Sequence, residues 1–267
     1  MASVALVATI HQPDERLAGL MEAQLPALAR RYAALVAYCS RDTHPAMLDL
    51  LRRHGAAVEV DGEAPAGIRC IGRVRRQTIR AGLAAGTSHL QMCDFDRILH
   101  WMARYPSELD EVIAAIGDYD LLVLGRTERA WATHPPYQSE TEPIFNHVFY
   151  LATGKRWDVG AGSRGLSRRA AELLLSISTE ETVGVDAEWP VLLLKQPPDS
   201  SFTAGGFCLG YRACDGLEFE TADRFGPEIE AAGGYEAWIV QMSADPARWA
   251  FRLQVAQLIA GAVVRYH

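Results

Sequence analysis

Cysteine is scarce in this 267-residue chain, and the few present follow no pattern. Cys39, Cys70, Cys93, Cys208 and Cys214 are scattered and include no C-x-x-C pair. That excludes a disulfide framework or a structural zinc site as the organising device and leaves reduced thiols as the default. Positive charge is also short. Lys and Arg total 26 against 33 Asp and Glu, a net charge of −7, where a nucleic-acid scaffold would carry a basic face. A local cluster of positive charge for a small anionic ligand remains compatible with that balance. There is no G-x-x-x-x-G-K-[ST] phosphate loop, no G-x-S-x-G nucleophile turn and no H-E-x-x-H zinc helix. Low-complexity linkers and internal repeats are missing too. The apolar run Val4–Ile10 has no basic segment before it, so it reads as a first strand and not as a signal peptide. The stretch 249–264 is broken by Arg252, Gln254 and Gln257, too short and too polar to span a bilayer. A cytoplasmic location is the expectation.

What is present is an alternation of strand and helix signals. At 49% apolar and 22% charged, the chain has the composition of a globular protein. The continuous apolar run Val4–Ile10 reads as a strand buried on both faces, and Ala34–Cys39, Ala57–Val60, the mostly apolar 88–93 and 120–124 as further strands. Helical spacing falls between them at 16–32, 45–54, 71–85 and Pro106–Ile116, with Pro26 a candidate break in the first. This rhythm predicts an α/β domain with a mainly parallel, Rossmann-like sheet and helices on both faces. After Arg126 the pattern changes to a segment rich in Pro, Gly, His and aromatics. Helices are expected at 144–152 and 167–176, a short strand or helix at 190–195, and a strand pair at 211–220. The last helix begins at Asp245-Pro246, an N-cap followed by proline. One domain with an elaborated C-terminal half accounts for all of this.

The segment Cys93-Asp94-Phe95-Asp96-Arg97 carries the most chemistry. Alternate residues of a strand face one side, so Asp94 and Asp96 at a strand's end would present two carboxylates to one point. Such a pair suits a divalent cation that also holds phosphate oxygens. An isolated D-x-D equally suits a solvated loop, and its place after a buried strand tips the balance. In open parallel sheets, ligands bind beyond the carboxyl ends of the strands. Thr9, His11 and Asp42, at or after the ends of the first two strands, occupy the positions for a nucleotide's base and ribose. Arg73, Arg76 and Arg80 are spaced three and four apart, on one helical face that would favour a diphosphate.

A second acidic pair lies in Asp186-Ala187-Glu188-Trp189. Asp186 or Glu188 would be suited to take a proton from an acceptor hydroxyl, and Trp189 to stack on a sugar ring. The same residues also suit the acidic first turn of a helix with a core tryptophan. Gly160-Ala161-Gly162-Ser163-Arg164-Gly165 is a literal G-x-G-x-x-G and resembles the first motif of the methyltransferases that use adenosylmethionine. Both adenosylmethionine and dinucleotide sites need that loop to follow a buried strand, whereas Gly154-Lys155-Arg156 precedes it here. It is read as a glycine loop followed by a helix.

Taken together, these residues resemble the GT-A-type glycosyltransferases, the family 2-like group, over roughly residues 3–195. The resemblance rests on Val4–Ile10, the Asp94-Phe95-Asp96 stretch, the glycine loop with its helix, and Asp186-Ala187-Glu188-Trp189. It implies a GT-A-like domain with a nucleotide-binding half (1–126) and an acceptor half (127–267). Asp94 and Asp96 would bind Mn²⁺ or Mg²⁺ on a nucleotide-diphosphate sugar. Gly162 and Trp189 would shape the acceptor site, for a small molecule or a glycan. Asp186 first, and Glu188 second, would supply the base. Three departures stand out: Thr9-Ile10-His11-Gln12 replaces the usual Tyr-Asn-Glu-like turn, no Gln-x-x-Arg-Trp segment follows, and the base motif is Asp-x-Glu. The alternatives are a nucleotidyltransferase, a non-catalytic binding protein with this fold, and a methyltransferase. The sequence does not specify the oligomeric state.

Overall fold

The computed structural model describes residues 2–63, 67–197 and 206–267. Seven strands form one sheet: β1 (Val4–Ile10), β2 (Ala34–Cys39), β3 (Ala57–Val60), β4 (His89–Asp94), β5 (Leu121–Arg126), β6 (Ser163–Ser167) and β7 (Leu209–Cys214). Their spatial order is β3-β2-β1-β4-β6-β5-β7. All pairs are parallel except the two made by β6, which runs antiparallel between β4 and β5. The fold class is the expected one, a mainly parallel sheet covered on both faces. β7 and β6 come from the second half of the chain and complete a sheet that the first half begins.

Strand β1 shows why the sheet is buried on both sides. Val4, Leu6, Ala8 and Ile10 join Met21, Leu25 and Leu28 of α1 (Ala18–Arg31) and Met47, Leu50 and Leu51 of α2 (Pro45–Arg53) in one core. Ala5 and Val7, pointing the other way, join Ile79 of α3 (Ile71–Leu83) in the opposite core. Helix α3 lies close on β1 because Gly82 faces it: a Cβ there would sit 2.4 Å from Val7 Cγ1. Pro26 lies inside α1 without ending it, since Met21, Leu25 and Leu28 anchor both sides of it in the core.

Three expectations need correction. A helix the spacing was not read for, α4 (Phe95–Arg104), follows β4 directly and precedes α5 (Pro106–Ile116). Phe95, Ile98, Leu99 and Met102 are its buried stripe. The second half of the G-x-G-x-x-G is not a loop before a helix but the strand β6 itself, so the methyltransferase reading loses its strand–loop–helix setting. Residues 211–220 form no strand pair: β7 stands alone beside β5 and leads into 3₁₀ turns at Asp215–Leu217 and Glu220–Arg224. At 190–195, read as a short strand or helix, the helix alternative holds: it spans Val185–Leu194 and Lys195 is its C-cap. Among the described residues no helix is long and apolar enough to cross a membrane.

Candidate active site

The chain winds from β1 outward to β2 and β3, then returns to place β4 on the other side of β1. The sheet's order therefore reverses between β1 and β4, and a crevice opens beyond their carboxyl ends, the place where such folds bind ligands. A cavity of about 290 Å³ fills it. Thr9 and Asp94, paired across the two strands, form its floor, and the Thr9 hydroxyl donates to Asp94 Oδ1 at 2.8 Å. Asp96, in the first turn of α4, lines the same cavity. At the β2 end stand His11, whose Nδ1 shares a 2.8 Å hydrogen bond with the Ser40 hydroxyl, and the exposed Asp42. Ile10, Tyr38, Ile71 and Val74 add an apolar lining beside them.

The far wall comes from the end of β3. Arg73 donates to Asp61 in a forked pair, at 3.1 Å and 2.8 Å, and lies 3.3 Å from Glu63. This pairing holds the Asp61 carboxyl below its ordinary range. Arg73 therefore supports two cavity carboxylates instead of facing the cavity itself. Arg76 is committed to Glu181 and the Glu180 carbonyl, and the exposed Arg80 to Gln77. Neither reaches the crevice.

Arg75 of α3 does not line the cavity either; it is buried on the Gly162 side of Asp94. Gly162, with φ +70°, packs against it so tightly that a Cβ there would lie 2.9 Å from Arg75 Nη2 and 3.5 Å from Asp94 Oδ2. Only glycine meets both demands, the left-handed backbone and the close approach. Arg75 falls on the face of α3 shared with Gly72, Ile79 and Gly82, so its burial was legible as a charge placed on the apolar stripe.

The roof comes from the segment after β7. Glu220 and Arg224 line the cavity, Arg224 pairs with Asp96, and Glu220 accepts from Arg97 Nη2 at 3.0 Å. Arg97 also donates to the Ala161 carbonyl, tying the glycine segment to α4. Burial pushes the Asp96 carboxyl up to about 6, against the pull of Arg224 and with the push of nearby Glu220 and Asp94. Burial would raise Glu220 as well, but the adjacent Arg97 outweighs it and holds Glu220 down to about 2. The cavity is thus lined by six carboxylates (Asp42, Asp61, Glu63, Asp94, Asp96, Glu220) and two arginines (Arg41, Arg224). A bare polyphosphate is poorly matched to such a wall. A polyphosphate that brings a divalent cation is well matched.

Asp94 and Asp96 offer hard oxygen ligands at one edge of the cavity, and that suits Mg²⁺ or Mn²⁺ shared with phosphate oxygens. No group of three or more His, Cys, Asp or Glu able to hold an ion unaided exists among the described residues. Two carboxylates fit an ion that arrives with its ligand better than a resident structural one.

The second acidic pair lies elsewhere. Asp186 is 2% exposed and is clasped by two buried guanidiniums, Arg75 and Arg164. Glu188 is fully buried; its carboxylate accepts from the backbone N–H groups of Thr179 (2.8 Å) and Glu180 (3.0 Å) and from the Ser178 hydroxyl. Trp189 is equally buried and donates its indole N–H to Ser178 at 3.1 Å. None of the three lines the crevice, so the base and sugar-stacking roles expected for them are withdrawn. Both acids lie in the first turn of a helix and Trp189 is a core residue, the alternative the sequence also offered; the acids in addition pair with buried cations and a turn.

No protein-family model and no curated protein matches the chain. Solved structures of similar overall shape include glucosyl-3-phosphoglycerate synthase from Mycobacterium tuberculosis. In complex with Mn²⁺, UDP and phosphoglyceric acid, that protein is 12% identical, with 79% of this chain and 68% of the other covered and a TM-score of 0.48. A second structure of the same synthase is 13% identical, covering 87% and 81%, also with a TM-score of 0.48. A likeness this distant carries no function across.

Proposed function

We propose that the chain is a glycosyltransferase that takes a sugar from a nucleoside-diphosphate donor bound in the β1–β4 crevice. The observation that carries the reading is the position of Asp94 and Asp96 in a cavity at the reversal of strand order, with the resemblance of the Asp94-Phe95-Asp96 stretch beside it. Asp94 and Asp96 would hold Mn²⁺ or Mg²⁺, which would supply positive charge to offset that of the diphosphate. Thr9 orients the Asp94 carboxylate through its hydrogen bond. His11, Ser40 and Asp42 offer polar contacts to the nucleoside, and the apolar Ile71 and Val74 line its side of the cavity. Gly162 lets Arg75 pack close beside Asp94. In the reaction, the bond between the sugar's anomeric carbon and the phosphate oxygen breaks and the electron pair leaves with the nucleoside diphosphate. A bond to an acceptor hydroxyl oxygen forms, and the hydroxyl gives up its proton.

Incubation with a panel of nucleotide sugars and Mn²⁺, with released nucleoside diphosphate as the readout, tests this. Release by the native chain and its loss in Asp94→Asn support transfer or donor hydrolysis. Metal-dependent nucleotide binding without any release favours the non-catalytic reading of the same crevice.

A further inference from the structure

One set of contacts of the segment after β7 falls on one side of α4. His100 is buried between two of its carboxylates, with Nε2 2.9 Å from Glu218 and Nδ1 2.7 Å from Asp223. Arg97 holds Glu220 and Asp96 holds Arg224, so residues 96, 97 and 100 of one helix grip four residues of the segment. Arg16, from the loop after β1, adds a bond to the Arg224 carbonyl at 3.3 Å and to Glu228 at 2.7 Å. The backbone at 224 is therefore fastened independently of the Arg224 side chain. Within this grip, four buried polar atoms have no partner: Arg97 Nε, Glu220 Oε2, Arg224 Nε and Glu228 Oε2. Of these residues, Glu220 and Arg224 line the cavity.

We propose that Arg224, paired with Asp96, yields that carboxylate when a divalent ion binds, and then pairs with the diphosphate. The inference rests on the reading of Asp94 and Asp96 as metal carboxylates. A guanidinium and a divalent ion beside the same Asp96 carboxylate repel each other and share one negative charge, so the two compete. Once displaced, Arg224 stays anchored at its backbone inside a cavity where phosphate oxygens arrive, and its planar fork is suited to them. Its unpartnered Nε supplies a further donor for that second partner. Buried donors without a partner are uncommon and call for one.

The prediction is a pair of opposite effects from one substitution, which a purely structural role does not produce. In Arg224→Gln, binding of Mn²⁺ alone, followed by electron paramagnetic resonance, tightens about tenfold, the scale of one charge-assisted contact. Binding of UDP or GDP at saturating Mn²⁺ weakens by about the same factor. Arg224→Lys retains the charge but not the fork and falls between the two. Arg129→Gln, which loosens the segment at its outer contact with Glu218 but leaves the cavity lining intact, changes neither affinity. Equal Mn²⁺ affinity in the native chain and Arg224→Gln overturns the inference and leaves the metal reading standing. The same two shifts in Arg129→Gln would assign the effect to loosening of the segment and overturn it as well. If neither the native chain nor the variant binds Mn²⁺, both the inference and the metal reading fail.

Discussion

Two acidic pairs with the same one-residue spacing meet opposite fates in this protein. Asp94 and Asp96 straddle the junction of β4 and α4, at the carboxyl edge of the sheet, and face a cavity. Asp186 and Glu188 lie in the first turns of a helix packed against the core, where partners consume every charge. The spacing is common to both; the difference is what the backbone does around it. A strand end delivers side chains to the crevice that a parallel sheet leaves open, whereas a buried helix delivers them to other buried groups. The comparison also explains the partners. Asp94 and Asp96 are only partly occupied by protein contacts, while Asp186 neutralises two guanidiniums and Glu188 caps a turn.

Substitutions that treat the two pairs alike test this contrast. The largest effect is expected for Asp186→Ala, which leaves Arg75 and Arg164 buried and unpaired. A loss of about 3–5 kcal/mol in chemical denaturation is predicted, enough to leave little folded protein. Glu188→Gln should cost about 1–3 kcal/mol, because the Thr179 and Glu180 amides lose a charged acceptor. Asp96→Asn should cost about 1 kcal/mol or less, since burial already disfavours its charge. A loss for Asp96→Asn as large as that for Asp186→Ala would erase the contrast.

A smaller, pH-dependent effect concerns the segment that roofs the crevice. Burial alone would lower the His100 pKa, but its bonds to Asp223 and Glu218 outweigh it and raise the value above the ordinary 6.5. The folded state therefore binds the His100 proton more tightly than the unfolded chain. Its stabilisation is fully present below pH 6.5 and is lost as pH rises through the higher folded value. Hydrogen exchange at residues 218–224 should accelerate across that window, and His100→Gln should flatten the dependence. A native chain whose exchange there follows only the intrinsic base-catalysed rate contradicts the clasp.

How much of this was legible in the sequence divides along the same line. The βα rhythm of the first half was readable because each strand is a mostly apolar run and each helix carries an apolar stripe. The floor of the crevice followed, since a carboxylate at the end of a buried strand has only one edge of the sheet to face. Strand β6 was hidden: Ser163-Arg164-Gly165-Leu166-Ser167 has little β-branched character and is a strand because β4 and β5 flank it. Arg75 was missed because its neighbours at 73, 76 and 80 form the more regular charged face. Glu220 and Arg224 were not legible as site residues, because nothing local shows that a segment over a hundred residues away from Asp96 folds back on it. The burial of Asp186 likewise depends on Arg75 and Arg164, which are distant in sequence and adjacent only in the fold.

Calorimetric titration of UDP and GDP, with and without Mn²⁺, tests the central claim most directly when run on the native chain, Asp96→Asn and Glu188→Gln together. The account predicts nucleotide binding that requires the ion, disappears in Asp96→Asn and persists in Glu188→Gln once that variant is confirmed folded. Binding of equal strength without the ion, or binding that survives in Asp96→Asn, would contradict it.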